Sequence, residues 1–397
     1  MPDLPHELTR LYERIPIGMR LGLDPMRAAC RSLGSPEGSF PTLHVAGSNG
    51  KGSVCAMTSA IAKEHGLRTG LYTSPHLCRF AERIRIDGEP IEDTALARFL
   101  AIALDVQPEL SFFEAATLAA FLAFREARVD VAVIEVGIGG RLDATNVVPK
   151  PLAGAITRIA LDHTDRLGST LVAIAREKAG IAKPGVPIVV GPMPPDVRAA
   201  IDEVARDHSA TTVGVDDVEA PTVIGLAGEH QRDNARVAAA LGARLGASKA
   251  AVERGIAAVR WPGRLERVGT FLLDAAHNPD GAEALARHLR GLGRPAREVA
   301  LVFGTLGDKD WGPMLDVLAP LAGTRVYVAP HGASRPPSDP RDMAARQPGA
   351  VVEDTAQALR LASEDRERLV VVAGSLVLIG EARALLLGLP RDPPVSL

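Results

Sequence analysis

The strongest constraint on the fold is a change of period that repeats along the whole chain. Short β-branched runs alternate with segments of helical length. Strands are expected at 42–46 (TLHVA), 131–136 (VAVIEV), 155–160, 186–190, 270–274, 298–303, 325–329 and 369–373. Helices are expected at 53–65, 94–104, 114–127, 170–179, 195–207, 231–245, 248–257, 281–290, 312–320, 355–363 and 375–387. This alternation calls for parallel sheets covered by helices. Several runs are apolar throughout, as in strands buried on both faces. The chain has 397 residues, enough for two or three domains at roughly 100–200 residues each. Trp261-Pro262-Gly263-Arg264 interrupts a helix-rich stretch, and a new β-α alternation starts at Thr270. The expected domains are therefore 1–266 and 267–397, the second having the size of one small doubly wound domain.

Composition excludes several functions. Forty-five Lys and Arg against 48 Asp and Glu leave a charge of −3, with no basic excess to neutralise a nucleic-acid backbone. Nine Phe, three Tyr and two Trp offer little for base stacking. Cys30, Cys55 and Cys78 form no CxxC pair and are odd in number, which speaks against a disulfide framework and a structural zinc. The N-terminus shows no apolar leader segment. The longest apolar run, 369–380, falls short of the roughly 20 residues that span a bilayer. The expectation is a soluble cytoplasmic α/β protein with neither nucleic acid nor membrane as a partner.

The chemistry concentrates at strand ends. After the first strand the chain reads Gly47-Ser48-Asn49-Gly50-Lys51-Gly52-Ser53, and Val54, Met57 and Ile61 then give a helical apolar stripe. A glycine-rich turn between strand and helix lets backbone N–H groups converge on phosphate oxygens, with Lys51 as a point charge and the helix N-terminus favouring an anion. The spacing departs from G-x-x-x-x-G-K-[ST]: Gly52 separates Lys51 from Ser53, and two residues separate the first two glycines. A plain glycine turn is the alternative. Thr73-Ser74-Pro75-His76 is a turn rich in hydroxyls, readable as an ordinary capped loop. Glu135 stands inside an apolar strand, where a carboxylate needs a metal or an ion-pair partner such as Arg141. His163 follows a strand and could ligate a metal, cap a helix or fill the core. Lys178 falls on an expected helix, where a solvated lysine is the ordinary reading.

Taken together these segments are far more specific. HVAGSNGKGS, LYTSPHLCRFAERIRI, SFFEAATLAAF, EVGIGGRLDATN, LDHTDRLGSTLVAIAREKAGI, GEHQRDNA, WPGRLE, DAAHNPDG and GTLGDKD occur in this order. The chain resembles the folylpolyglutamate synthase/dihydrofolate synthase family of the Mur ligase superfamily, from about residue 10 to residue 387. The unusual loop GSNGKGS is itself a mark of that family. The resemblance implies a P-loop-type ATPase domain with a mainly parallel sheet, followed by a smaller Rossmann-like α/β domain. It implies an ATP-dependent acid–amino-acid ligase that joins L-glutamate to dihydropteroate or to the tail of reduced folates through an acyl phosphate.

The resemblance also carries residue roles. Ser48, Asn49, Gly50, Lys51, Gly52 and Ser53 would hold the ATP phosphates. Ser74 and Glu135 would ligate one Mg²⁺ and His163 a second. Lys178 matches a lysine that is carbamylated in related ligases, which would turn an ammonium into an oxygen donor suited to a hard cation. Asn234, Arg264 and Asp274 would contact ATP. Phe112, Phe113 and Glu114, with Leu142, Asp143 and Ala144, would form the pterin or pteroate pocket. Lys51, Lys178, Asp274 and His277 are the catalytic candidates, and Ser375 is a further residue facing the incoming glutamate. The resemblance further implies a monomer, a monovalent cation as an additional cofactor, and chemistry in a cleft that domain closure would dry. Segment 330–341 matches only loosely and receives no role. Two other readings are a Mur-type ligase acting on a peptidoglycan precursor and a non-catalytic ATP-binding descendant.

Overall fold

The computed structural model describes residues 2–15, 22–307, 309–331 and 336–392. Asp308 of GTLGDKD and residues 332–335 of the loosely matching segment lie outside the described residues. The chain forms two compact units. The first contains the residues up to Ser74, Ala81–Gly225 and Gln231–Val259. The second contains Pro75–Phe80, Leu226–His230 and Arg260 onward. Residues 260–266, which a boundary at 266 places with the first part, group with the second.

The first unit holds eight strands: β1 Thr42–Ala46, β2 Thr69–Tyr72, β3 Ile84–Ile86, β4 Glu89–Pro90, β5 Val131–Glu135, β6 Ala153–Ile156, β7 Pro187–Val190 and β8 Thr211–Gly214. Their order is β4-β3-β2-β5-β1-β6-β7-β8. All pairings are parallel except β2 with β3 and β3 with β4. The chain goes from β1 to β2 and β5 on one side, then returns to β6 on the other side of β1. In such sheets ligands bind beyond the C-terminal strand ends at this reversal. The C-terminal ends of β2, β5, β1 and β6, with the turns after them, carry Ser74, Glu135, the phosphate loop and the Asp162-His163 segment, so four adjacent strand ends deliver them.

The second unit holds β9 Glu266–Val268, β10 Phe271–Leu273, β11 Val299–Phe303, β12 Thr324–Tyr327, β13 Ala350–Val351 and β14 Leu369–Ala373. Their order is β13-β12-β11-β14-β10-β9, antiparallel only between β9 and β10. Leu301, Phe303, Val371 and Ala373 share a core with helices Pro279–Gly291 and Trp311–Leu318. Ala300, Val302, Val370 and Val372 share another with helices Thr355–Ala362 and Leu376–Leu387. Helices on both faces explain the uniformly apolar β11 and β14.

Three sequence expectations need correction. The strand expected at 155–160 is Ala153–Ile156, because 157–160 leave the sheet to brace the phosphate loop. The helix after that loop is Lys51–Glu64, and it is not an amphipathic stripe. Gly52 through Ser59 are all buried, with Ile61 and Ala62, since the helix is covered on nearly every side. Helices Leu4–Tyr12, Asp24–Ser32 and Pro340–Arg346, and strands β2, β3, β4, β8, β9 and β13, escaped the sequence reading. The three cysteines are free and buried. Among the described residues, no helix is long and apolar enough to cross a membrane.

Candidate active site

The phosphate loop is built by three sets of contacts. Ser48 and Asn49 donate their backbone N–H groups to the carbonyl of Arg158, at 2.9 and 3.2 Å. The Ser48 hydroxyl donates to Ala160 O at 2.9 Å, and the Thr157 hydroxyl to Asn49 O at 2.7 Å. Lys51 Nζ donates to Gly47 O and Ser48 O at 3.1 and 3.2 Å. The N–H groups of Lys51, Gly52 and Ser53 open the following helix and have no intrahelical acceptor, which is the standard anion-binding end. Gly50 has φ +90°, and a Cβ there would overlap the Asn234 side chain. Asn234 donates to Gln231 Oε1 at 2.9 Å, and Gln231 Nε2 in turn donates to Ser53 Oγ at 3.4 Å. The HQRDNA segment thus packs against the loop that its resemblance links to ATP.

Gly47 supplies a sharp test of this arrangement. A Cβ on Gly47 would overlap the Thr157 hydroxyl. Gly47→Ala is therefore expected to raise the KM for ATP by roughly tenfold or more, with a smaller effect on the acceptor. Equal KM values for ATP in the variant and the wild type would remove Thr157 and Gly47 from the loop's design.

Beside the loop, Glu135 is buried at the end of β5 and accepts the Ser74 backbone N–H at 3.2 Å. Arg141 is not its partner. That guanidinium pairs with Glu177 at 2.9 Å on the exposed surface. Burial raises the pKa of Cys55, the Glu135 charge adds to that rise, and the Lys51 charge opposes it.

Lys178 is the least ordinary group here. It is 4% exposed, although it sits on helix Leu171–Ala179, where the sequence reads as a solvated lysine. Burial pushes its pKa down to about 7, the Lys51 charge pushes the same way, and Asp162 and Asp143 oppose. A neutral amine is thus populated near pH 7. Asp162 went unassigned at the level of sequence. Its charge acts on Lys178, and it accepts the His163 N–H at 3.0 Å. His163 has φ +50° and precedes helix Thr164–Leu167 without a side-chain capping bond, so helix capping does not explain it.

The acceptor-pocket candidates divide in two. Phe112 is buried, stacked on Tyr12 at 5.9 Å and under the Arg83 guanidinium, so it is core. Glu114 closes a capping box with Ser111, its carboxylate accepting the Ser111 N–H at 2.9 Å and the hydroxyl at 2.7 Å. Both residues help build the start of this helix. Phe113 is only partly buried, lies 6.1 Å from the Tyr72 ring and packs on Gly137. Asp143 accepts four hydrogen bonds, from the N–H groups of Gly137, Ile138 and Thr145 and from the Thr145 hydroxyl. Burial raises its pKa, against the pull of these bonds. Four bonds fill a carboxylate's acceptor sites. Asp143 therefore shapes the loop that bears Leu142 and Ala144. Gly140 of that loop lies against the Lys178 backbone, where a Cβ would come within 2.7 Å of the Lys178 carbonyl.

In the second unit, Asp274 follows β10 and accepts the N–H groups of Leu265 and Ala276 at 2.9 and 3.0 Å. Burial raises its pKa, while Arg264 and His277 hold it down. His277 Nδ1 bonds Ala275 O at 2.8 Å. Ser375 follows the neighbouring β14 and caps the next helix, accepting from Leu378 N at 3.1 Å. Arg264 and His277 thus both act on Asp274, and Ser375 caps the helix that follows β14.

Two compact α/β units, one with a phosphate loop at its sheet reversal, define an NTP-dependent ligase of the Mur type. Residues 45–190 match the Mur ligase middle domain and residues 263–376 the Mur ligase glutamate ligase domain. The chain belongs to the folylpolyglutamate synthase/dihydrofolate synthase family. It is 35% identical to the folylpolyglutamate synthase of Lacticaseibacillus casei, over 90% of this chain and 92% of that one. It is 36% identical to the Escherichia coli dihydrofolate synthase/folylpolyglutamate synthase, over 78% and 80%. The E. coli FolC solved in complex with DHPP and ADP superposes with a TM-score of 0.87 at 31% identity, covering 97% of each chain. The Yersinia pestis enzyme complexed with AMPPNP and Mn ion gives 0.86 at 31% identity, covering 97% and 98%.

Proposed function

We propose that the chain catalyses ATP-dependent ligation of L-glutamate to dihydropteroate, to the glutamate tail of reduced folates, or to both. The observation that carries this reading is the delivery of Ser74, Glu135, the Lys51 loop and the Asp162-His163 segment by four adjacent strand ends, beside buried Lys178. Relatives named for folate ligation favour it over a peptidoglycan-precursor ligase.

The chemistry begins with a carboxylate that an amine cannot attack productively, because its leaving group is an oxide. A carboxylate oxygen of the acceptor attacks the γ-phosphorus of ATP, the bond to the bridging oxygen breaks, and ADP leaves. The glutamate amine then attacks the acyl phosphate carbonyl, loses its proton, and expels phosphate as the tetrahedral intermediate collapses. Lys51 and the helix-start N–H groups hold the phosphates and oppose the charge that builds on the transferring group. Phe113 offers a flat face to the heterocycle, over the loop that carries Leu142 and Ala144. Asp274 and His277 serve the incoming glutamate and the phosphate.

Ser74, Glu135, His163 and a carbamate on Lys178 would hold Mg²⁺ at two sites. Among the described residues no three His, Cys, Asp or Glu side chains converge. A hard cation such as Mg²⁺ takes few protein ligands and completes its shell from phosphate and water. Bound there, the ions neutralise phosphate charge. The neutral Lys178 amine can add to carbon dioxide, forming an N–C bond and losing one proton, which leaves an anionic oxygen donor. A monovalent cation, a monomeric state and a cytoplasmic location complete the reading.

The deciding assay follows ADP release and glutamate incorporation with dihydropteroate and with tetrahydrofolate, side by side. ADP release that requires glutamate and at least one of the two acceptors is expected. ATP binding without ligation to either, or turnover of a peptidoglycan precursor instead, would overturn the reading.

A further inference from the structure

His44 is the middle residue of β1, fully buried, and no part of the chemistry above uses it. Alternate residues of a strand face opposite sides, so His44 shares a face with Thr42 and Ala46 rather than with Leu43 and Val45. Its Nε2 lies 2.8 Å from the Thr145 hydroxyl. That hydroxyl donates to Asp143 Oδ1 at 2.5 Å. A threonine has one hydroxyl hydrogen, so Nε2 must carry the proton and donate to Thr145. The neutral ring suits this task, since burial and the charge of Lys183 push its pKa down to about 3. Nδ1 has no hydrogen-bond partner among the described residues. An apolar residue would spare the strand that orphaned acceptor, but it could not supply the donor.

The chain of bonds continues beyond Asp143. Its other oxygen takes the N–H groups of Gly137 and Ile138, both at 3.0 Å. Asn146, at the far end of the same loop, donates to Arg141 O and Gly180 O at 2.9 and 3.1 Å. One buried donor on β1 thereby reaches Gly137 and Ile138 at the start of the loop that packs on Phe113 and on the Lys178 backbone.

We propose that His44 is a positioning residue for the acceptor substrate, acting through Thr145 and Asp143 on the 137–146 loop. The inference rests on the reading of that loop as acceptor wall. In sequence, His44 is much closer to the phosphate loop, so a merely structural role would disturb ATP binding at least as much as the acceptor. The two roles are therefore separable by kinetics.

The experiment compares full-length wild type with His44→Leu, His44→Gln, Thr145→Val, Thr145→Ser and the Leu/Val double variant, using dihydropteroate and tetrahydrofolate as acceptors. His44→Leu and Thr145→Val are each expected to raise the acceptor KM by about tenfold, with the KM for ATP within about twofold of wild type. Gln and Ser, which keep a donor at each step, are expected to recover most of the loss. The double variant should be no worse than the poorer single one, as for two links of one chain. An unchanged acceptor KM in Thr145→Val, a parallel rise for ATP, or multiplying effects would overturn the proposal. Thr145→Val removes only a hydroxyl and carries the test if His44→Leu does not fold. A wild type inactive with both acceptors would overturn the functional reading instead. The positioning claim is then read from hydrogen exchange of the Gly137 and Ile138 amides. Exchange about tenfold faster in Thr145→Val supports it, and unchanged exchange overturns it.

Discussion

Lys51→Ala is expected to lower ligation by about a thousandfold or more, because it removes the one side-chain cation on the phosphate loop from the transferring phosphoryl group. The fold should survive. Lys51 is partly buried and gives up two hydrogen bonds to loop carbonyls, each worth about 1.5–3 kcal/mol at most for a charged donor. The loop keeps its other braces, from Thr157, Arg158 and Ala160. Thermal unfolding by circular dichroism, measured beside ADP release, separates the two effects. Lys51→Arg should recover little, since a planar fork does not replace a compact ammonium in a loop of this size. Turnover of Lys51→Ala close to wild type would sink the assignment of Gly47–Ser53 as the phosphate site.

Lys178→Ala should also cost most of the activity, by about a hundredfold or more, through loss of a metal-supporting oxygen donor. Bicarbonate should not rescue it, because alanine has no amine to modify. Wild type incubated with ¹³C-bicarbonate should show a carbamate carbon resonance that the variant lacks. A fully active wild type without that resonance contradicts the carbamate. The buried amine also has a signature in stability. Its folded pKa of about 7 lies below the ordinary 10.5. Below pH 7 both states are protonated, and the penalty of the buried charge is fully present. From pH 7 to 10.5 the unfolded chain binds more protons, so stability rises with pH and the penalty vanishes above that range. Without bicarbonate, Lys178→Met should therefore be stabilised over wild type most at pH 6 and least at pH 10.5. Urea midpoints across this range would show it, and a difference independent of pH would contradict a buried, depressed lysine.

The candidate site was legible where local chemistry is demanding. A glycine-rich turn with Lys51 between a strand and a helix has few other uses, and Glu135 in an apolar strand needs a partner wherever the strand lies. Lys178 reads as a surface lysine on its helix, because nothing in nine residues of local sequence shows that its face is covered. Glu114 and Ser375 carry ligand roles by resemblance alone, and the structure adds that an oxygen of each caps a helix. Strand β2 and the hairpin strands β3 and β4 were missed because they are two to four residues long and carry Gly, Arg and Pro.

The sequence by itself determined the alternating α/β architecture, the position of the glycine-rich turn between β1 and the following helix, and the family. These follow from period, turn chemistry and residue order, which are local and survive without knowledge of neighbours. Tertiary structure alone decided which residues share a surface. Strand order places β1 between β5 and β6, so segments about ninety to a hundred and ten residues from the phosphate loop come to its side. Burial then converts ordinary side chains into special ones. Lys178 loses its charge near neutral pH, Asp143 closes a loop on itself, and His44 becomes a one-hydrogen donor. Each depends on low local dielectric and on partners distant in sequence, which no stretch of the chain carries alone.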